Sequence, residues 1–115
     1  MIAVIFEVVP KEGQVDAYLD AAALLRPHLE EMDGFISIER FGSLTQPGKL
    51  LSLSYWRDEE AIRQWREFEP HRGIQRAARA SMFDDYRLRV ATVIRDYGMF
   101  DRAQAPADSK AAHGE

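Results

Sequence analysis

Hydrophobic positions along the chain change period several times, and each change predicts a new element of secondary structure. Ile2 to Val9 form an apolar run whose only charge is Glu7, which is typical of a strand covered on both faces. From Gln14 to Met32 the apolar spacing becomes three and four, which predicts an amphipathic helix. Asp33-Gly34 then supplies a C-terminal stop signal.

The rest of the chain predicts two strands, two short helices and a closing strand. The strands are Phe35 to Ser43 and Lys49 to Trp56, and the closing strand runs from Tyr86 to Tyr97. Asp58 is suited to cap the first short helix, and Pro70 to begin the second. The resulting order, βαββαβ, predicts an α+β ferredoxin-like fold with a four-stranded antiparallel sheet and helices on one face.

We expect one domain over residues 1–100, followed by a flexible polar tail at 101–115 that lacks apolar periodicity. The strands carry apolar residues at both parities, although the helices can cover only one face of the sheet. This excess of apolar surface predicts a homodimer, with sheet packed against sheet. Arg87, Arg89 and Arg95 share one strand parity, which favours pairing with carboxylates across the dimer over substrate binding.

Composition narrows the classes of function. The net charge of −4 argues against nucleic acid as a partner, and the absence of cysteine excludes thiolate catalysis and cysteine-bound metal. The N-terminus has no basic region of a signal peptide, and no apolar run approaches the ~20 residues of a membrane span. We therefore expect a cytoplasmic protein that has no membrane partner. No HExxH, Gly-rich phosphate loop or GxSxG motif occurs, which disfavours metal, nucleotide and hydrolytic chemistry.

The residues best suited to chemistry are Trp56, Trp65 and His71. Aromatic residues on the inner stripe of a helix are most often core, and we favour that interpretation for Trp65 over a pocket wall. Trp56 stands at a strand end just before a helix cap, and we favour a structural role for it as well. His71 shares an inward stripe with Ile74 and Ala78. It is either a structural, hydrogen-bonded histidine or a functional one, acting as a general base near neutral pH or as an iron ligand.

The segment YWRDEEAxxxW at Tyr55 to Trp65, His71, and the closing YRLRVATVIRDYG at Tyr86 to Gly98 resemble the antibiotic biosynthesis monooxygenase family. The resemblance covers roughly residues 1 to 100. It implies a dimeric α/β barrel. It also implies one of several activities, because the family includes cofactor-independent oxygenases of polycyclic aromatic phenols and quinols, haem-degrading monooxygenases, and members of unknown activity.

The resemblance extends to individual residues. Trp65 and His71 are similar to the tryptophan and the iron-ligating histidine of the haem-degrading branch, whose asparagine on the first strand has no counterpart in this asparagine-free chain. In the quinol-oxidising branch, Trp65, Tyr86 and one of Arg87 or Arg89 resemble part of the pocket set.

We therefore expect a cofactor-independent monooxygenase that oxidises a quinol-like or anthrone-like aromatic with dioxygen. One alternative is a haem-binding enzyme with His71 as axial ligand, and another is a non-catalytic dimeric protein that binds a small molecule. If His71 is functional, it should face a cavity between the two short helices and the sheet, with Trp65 on the wall. The expected catalytic residues are His71, Trp65 and Tyr86, and the expected substrate-binding residues are Phe68, Ile62, Trp56 and Arg89.

Overall fold

The computed structural model describes residues 1–113 and contains the predicted sheet with its helices on one side. The four strands are antiparallel in the order β2-β3-β1-β4, so β1 lies between β3 and β4. The α+β ferredoxin-like prediction is confirmed. The elements are β1 (Ile2–Pro10), α1 (Val15–Glu31), β2 (Phe35–Gly42), β3 (Leu50–Trp56), α2 (Glu59–Glu67), α3 (Glu69–Ser81), β4 (Phe83–Thr92) and α4 (Ala107–His113).

The break between α2 and α3 follows from local chemistry. The Asp58 carboxylate accepts a hydrogen bond from the Ala61 backbone N–H at 2.9 Å and so begins α2. Phe68 ends that helix in an extended conformation, with ψ at 119°. Pro70 then lies in the first turn of α3, where its missing N–H costs no helical hydrogen bond. His71 is thereby placed in the first turn of a new helix, directly after a bend in the chain.

Gly34 brings the start of β2 against α2. Its φ of +87° is one that side-chain-bearing residues rarely adopt, and a Cβ built there would lie 2.6 Å from the Ala61 Cβ. The turn and the close approach therefore both require glycine at this position.

The hydrophobic core beneath the helices is divided into two clusters. One contains Val8, Tyr18, Ala78 and Phe83, and the other contains Leu29, Trp56 and Ala61. Together the clusters fasten α1, α2 and α3 to the sheet at separate places. The space between them is where the candidate site lies.

The closing strand differs from the prediction, since it begins at Phe83 and ends at Thr92 instead of running from Tyr86 to Tyr97. Its neighbour β1 explains both ends. Pro10 of β1 pairs with Phe83, and Ile2 pairs with Thr92, so β1 provides almost no backbone with which residues after Thr92 can form a ladder.

The C-terminal segment contains α4, an element that the sequence pattern did not predict. The predicted flexible tail at 101–115 also includes residues 114 and 115, which lie outside the described residues. None of the helices in residues 1–113 combines the length and the hydropathy that a transmembrane span requires.

Candidate functional site

A cavity of about 250 Å³ lies between the sheet and its three covering helices. Its floor consists of two rows of residues that the strand register aligns across the sheet, from β2 to β4. Cross-strand partners point to the same face of a sheet, so each row presents its side chains together. The rows are Ile38, Ser54, Val4 and Val90, and Arg40, Ser52, Phe6 and Leu88.

The roof of the cavity comes from all three covering helices. Most of its side chains are apolar, including Leu25 of α1, Ile62 of α2 and Ile74 of α3. The side chains of Leu88 and Val90, on the floor at the β4 edge, are each 46% exposed. The cavity therefore opens along β4, and the β2 end of the floor lies farthest from this opening.

His71 and Trp65 lie side by side in the roof. Their rings stack with centroids 4.6 Å apart and an angle of 27° between planes. Phe68 stacks on Trp65 at 5.7 Å, and His28 contacts Phe68 at 5.4 Å, so four rings follow one another along the helical layer. The bend at Phe68 makes this arrangement possible, because it turns α3 so that His71 meets the indole of Trp65.

The polar atoms of His71 are unusually placed. Its Nδ1 is buried without a hydrogen-bond partner, and among the described residues no other buried side-chain nitrogen or oxygen shares that condition. Nε2 has no hydrogen bond to the described residues either but is not buried, and His71 lines the cavity. Such an unpaired imidazole is costly in a purely structural role.

Burial lowers the pKa of His71 below its ordinary value of 6.5. A contribution from the Trp65 backbone, which does not meet the geometry of a hydrogen bond to the imidazole, opposes this lowering, and the positive charge of Arg72 adds to it. The imidazole is therefore neutral at neutral pH and has a lone pair with which to accept a proton.

Trp56 forms part of the cavity wall but is packed as a core residue. It is 2% exposed, and its indole Nε1 donates a hydrogen bond to the Ser54 hydroxyl at 2.9 Å. Phe35 packs edge-on against its ring at 5.3 Å. Because its polar atom is already satisfied within the protein, Trp56 offers a ligand only an apolar surface.

Three of the predicted site residues are absent from the cavity lining. Phe68 lies behind Trp65, and Tyr86 packs behind Phe6, with ring centroids 5.5 Å apart. Arg89 lies on the opposite face of the sheet because its parity in β4 differs from that of Leu88 and Val90. The structure thus brings His71, Trp65, Ile62 and Trp56 together and leaves Phe68, Tyr86 and Arg89 outside.

A polar group at the β2 end of the cavity was missed from the sequence. The Arg40 guanidinium donates from Nε to the Tyr18 hydroxyl at 3.4 Å, and both residues line the cavity. The sequence did indicate this group, because Arg40 stands two positions after Ile38 in a strand and therefore points to the same, inward face. Among residues 1–113, no cluster of histidine and acidic side chains is arranged to hold a metal ion.

Comparison with known proteins relates this arrangement to a family. The sequence model of the antibiotic biosynthesis monooxygenase family matches residues 1–77. A jasmonate monooxygenase of Pyricularia oryzae is 47% identical over 93 residues, which are 81% of this chain and 43% of that protein. The chain therefore spans less than half the length of this relative.

Two further proteins extend the comparison. YqjZ of Bacillus subtilis is 29% identical over 81% of this chain and 79% of its own length. The structure of Rv0793 from Mycobacterium tuberculosis superposes with a TM-score of 0.75 at 15% identity, covering 84% of this chain and 98% of that one, and shows that the fold is shared. With the family match over residues 1–77, these relationships show that the chain belongs to the antibiotic biosynthesis monooxygenase family.

Proposed function

We propose that this protein is a cofactor-independent monooxygenase that oxidises a small, electron-rich aromatic molecule with dioxygen in the cavity. The observation that carries the proposal is His71, a neutral imidazole without a hydrogen-bond partner in a cavity whose walls are mainly apolar. Family membership supports oxygenase chemistry in general, and the largely apolar walls of the cavity favour a flat, apolar substrate.

The chemistry requires only a base and an apolar enclosure. Nε2 of His71 removes a proton from an activated C–H or phenolic O–H group, leaving a delocalised substrate anion. That anion passes an electron to dioxygen, and the substrate radical and superoxide combine as a peroxide anion. Protonated His71 then returns its proton and gives the hydroperoxide. For an anthrone-like CH₂ group, loss of water then leaves a ketone. One oxygen atom enters the substrate and the other leaves as water with the two substrate hydrogens, so no external reductant is consumed.

The apolar walls assist the reaction by orienting the ring and excluding water. Trp65 presents a flat surface beside His71, and Ile62 and Trp56 provide further apolar contact. Removing bulk water strengthens the interaction between the base and the substrate proton. The volume of about 250 Å³ is below the ~300 Å³ lower end of pockets for drug-sized ligands, which favours a substrate of a few fused rings.

The residues present do not fit haem as well. A porphyrin with its side chains is larger than a cavity of about 250 Å³. The side chains of the first strand that face the cavity, Val4 and Phe6, are both apolar and offer no polar contact to a haem-bound ligand. We therefore derive no step through haem. A hemin titration without a Soret shift dependent on His71 is the expected result.

A second candidate substrate comes from the Pyricularia oryzae relative, which is named a jasmonate monooxygenase. Jasmonate combines a small apolar body with a carboxylate, and the cavity combines apolar walls with Arg40. Jasmonate therefore belongs in the same assay as the aromatic candidates.

The test is incubation of the protein with anthrones, quinols and jasmonate under ¹⁸O₂, with mass spectrometry of the products. We expect one ¹⁸O atom per product, no product under anaerobic conditions, and unchanged activity after treatment with a chelator. Identical aerobic and anaerobic traces for every substrate would overturn the proposal. Tight binding without oxygen uptake would instead indicate a non-catalytic binding protein.

A further inference from the structure

We infer that the ligand of this cavity carries a carboxylate or another compact anion, which Arg40, Tyr18 and Ser52 bind at the β2 end. These three residues are called the anion subsite below. The inference rests on the proposed function for its location, since it deepens the account of the same cavity. It makes a separate claim about binding, which can be tested without any catalytic turnover.

The first observation is that Arg40 has no counter-ion. Its side chain is half-buried at the cavity, yet no carboxylate of the described residues lies within the 4.0 Å of a salt bridge. Arginine has five N–H donors in a planar fork. Only Nε is used here, in the long 3.4 Å hydrogen bond to the Tyr18 hydroxyl. The two terminal nitrogens are therefore available for a bidentate contact with a carboxylate.

The neighbours of Arg40 supply further donors. Tyr18 is buried and accepts from Arg40, which leaves its own hydroxyl proton to donate to a ligand. Ser52 is the cross-strand partner of Arg40, so the two side chains lie next to each other on the floor. Its hydroxyl is in a buried residue and makes no hydrogen bond to the described residues. A guanidinium and two neighbouring hydroxyls thus lie at the β2 end of the cavity, and no carboxylate of the described residues forms a salt bridge with the guanidinium.

The charge of the lining is the second observation. The chain as a whole is acidic, with 19 Asp and Glu against 15 Lys and Arg. Around the cavity the balance is reversed, because the lining includes Arg26, Arg40 and Arg66 but no aspartate or glutamate of the described residues. Arg26 is neutralised by Glu30 at 2.7 Å, so the remaining uncompensated charges are Arg66 in α2 and Arg40 at the far end. This arrangement favours entry of an anion.

The register defines how such a ligand lies. Arg40 and Leu88 are at opposite ends of one floor row, with Ser52 and Phe6 between them. Because the cavity opens at Leu88, the anionic group enters first and the apolar body follows over Phe6. The polar end anchors the molecule while its rings lie under the roof that contains Trp65 and His71. The anion subsite therefore determines which part of the substrate faces the base.

The experiment compares acids with their neutral methyl esters, using 2-naphthoate, 1-naphthylacetate and decanoate as probes. Binding is measured anaerobically by calorimetry and by tryptophan fluorescence. We expect at least one acid to bind about tenfold or more tightly than its ester. Arg40→Gln and Tyr18→Phe should each abolish most of that preference and leave the affinity of the ester unchanged.

Arg66→Gln is the matched control, because this arginine also lines the cavity but lies outside the anion subsite; it should lower acid affinity by less than threefold. Ser52→Ala provides a second test in a variant that removes only one oxygen atom, should Arg40→Gln fail to fold. Equal affinity for acids and esters, or the absence of binding by every acid, would overturn the inference. If acids bind but no oxygen is consumed, the anion subsite is supported and the proposed oxygenase function is not.

Discussion

The two faces of the sheet are built from alternate residues of the same strands, yet they differ in kind. On the covered face, Val4 and Phe6 contribute to the floor of a cavity in which Nδ1 of His71 has no hydrogen-bond partner and the Arg40 guanidinium, hydrogen-bonded to Tyr18, has no carboxylate partner among the described residues. On the open face, Glu7 is paired twice, with Arg89 at 2.8 Å and with Lys49 at 3.6 Å. The hydrogen bond from Arg89, followed by the charge of Lys49, lowers the pKa of the Glu7 carboxyl.

The two faces thus differ in whether their polar groups are already paired within the protein or remain available to a ligand. Charges that are already paired, like those around Glu7, have little left to offer a ligand. Polar groups left without partners in an enclosure cost stability, and proteins keep them where they bind or react. The open face otherwise carries apolar residues such as Ile5 and Leu53. We propose that a second copy of the chain covers it, as the resemblance to dimeric family members also implies.

The largest expected effect is that of His71→Ala on the covered face. Removal of the base should lower kcat/KM by about 100-fold or more, while the melting temperature stays the same or rises because an unpaired buried nitrogen disappears. Oxygen uptake and thermal denaturation measure the two effects. His28→Ala is the control, since His28 contacts the same row of rings but does not line the cavity. Equal activity in both variants would contradict the proposed role of His71.

The two tryptophans should separate stability from activity. Trp56→Ala should lower the free energy of unfolding by about 3–5 kcal/mol, because it empties a core site and removes the hydrogen bond to Ser54. Trp65→Ala should cost less, about 2 kcal/mol, since this residue is half-buried. The loss of kcat/KM in Trp65→Ala, expressed as a free energy, should nevertheless exceed its loss of unfolding free energy. Urea denaturation measures the stability loss and steady-state kinetics measures the activity loss. If Trp65→Ala were more destabilising than Trp56→Ala, Trp56 would not be the core residue of the two.

A charge on the open face should weaken self-association. Leu53→Lys places an ammonium in the surface that we propose the second copy covers, and should raise the dissociation constant of the dimer by about tenfold or more. Sedimentation velocity over a range of concentrations measures it. Leu44→Lys is the control because Leu44 is fully exposed in a loop. A wild-type protein that stays monomeric at every concentration would end the dimer proposal.

The pH dependence of stability should be smaller and should depend on His71. Burial lowers the pKa of His71 in the folded state below 6.5, so the unfolded chain binds its proton more readily. The stability associated with neutral His71 is thus fully present above about pH 6.5 and is lost as the pH falls through the folded-state pKa. Melting temperatures between pH 5 and 8 should show a weaker slope in His71→Gln. An unchanged slope would place the titrating group elsewhere.

The smallest effect is expected for Arg89→Gln. Exposed ion pairs contribute little to stability, and this side chain is remote from the cavity, so the free energy of unfolding and kcat/KM should change little. A large loss of activity in purified Arg89→Gln would instead support the substrate-binding role that the sequence suggested for Arg89.

Local chemistry explains which features could be predicted from the sequence. The cap at Asp58, the break before Pro70 and the inward position of His71 depend on residues within one or two helical turns. The element order followed from hydrophobic periods of similar range, and the expectation of a cavity beside Trp65 and His71 followed from their inward positions on two helices that Pro70 separates. Placing Tyr86 and Arg89 required the register of β4 against β1, which joins segments about 80 residues apart in the chain.

The sequence by itself determined the βαββαβ order, the covered stripe of each helix and the presence of a histidine where apolar residues point inward. Only the tertiary structure decided that the core divides into two clusters with a cavity between them. It also decided that Arg40, Ser52 and Tyr18 meet at one end. The physical reason is that hydrophobic period reports which side of an element is buried, whereas strand register and helix packing decide which buried side chains from distant segments touch.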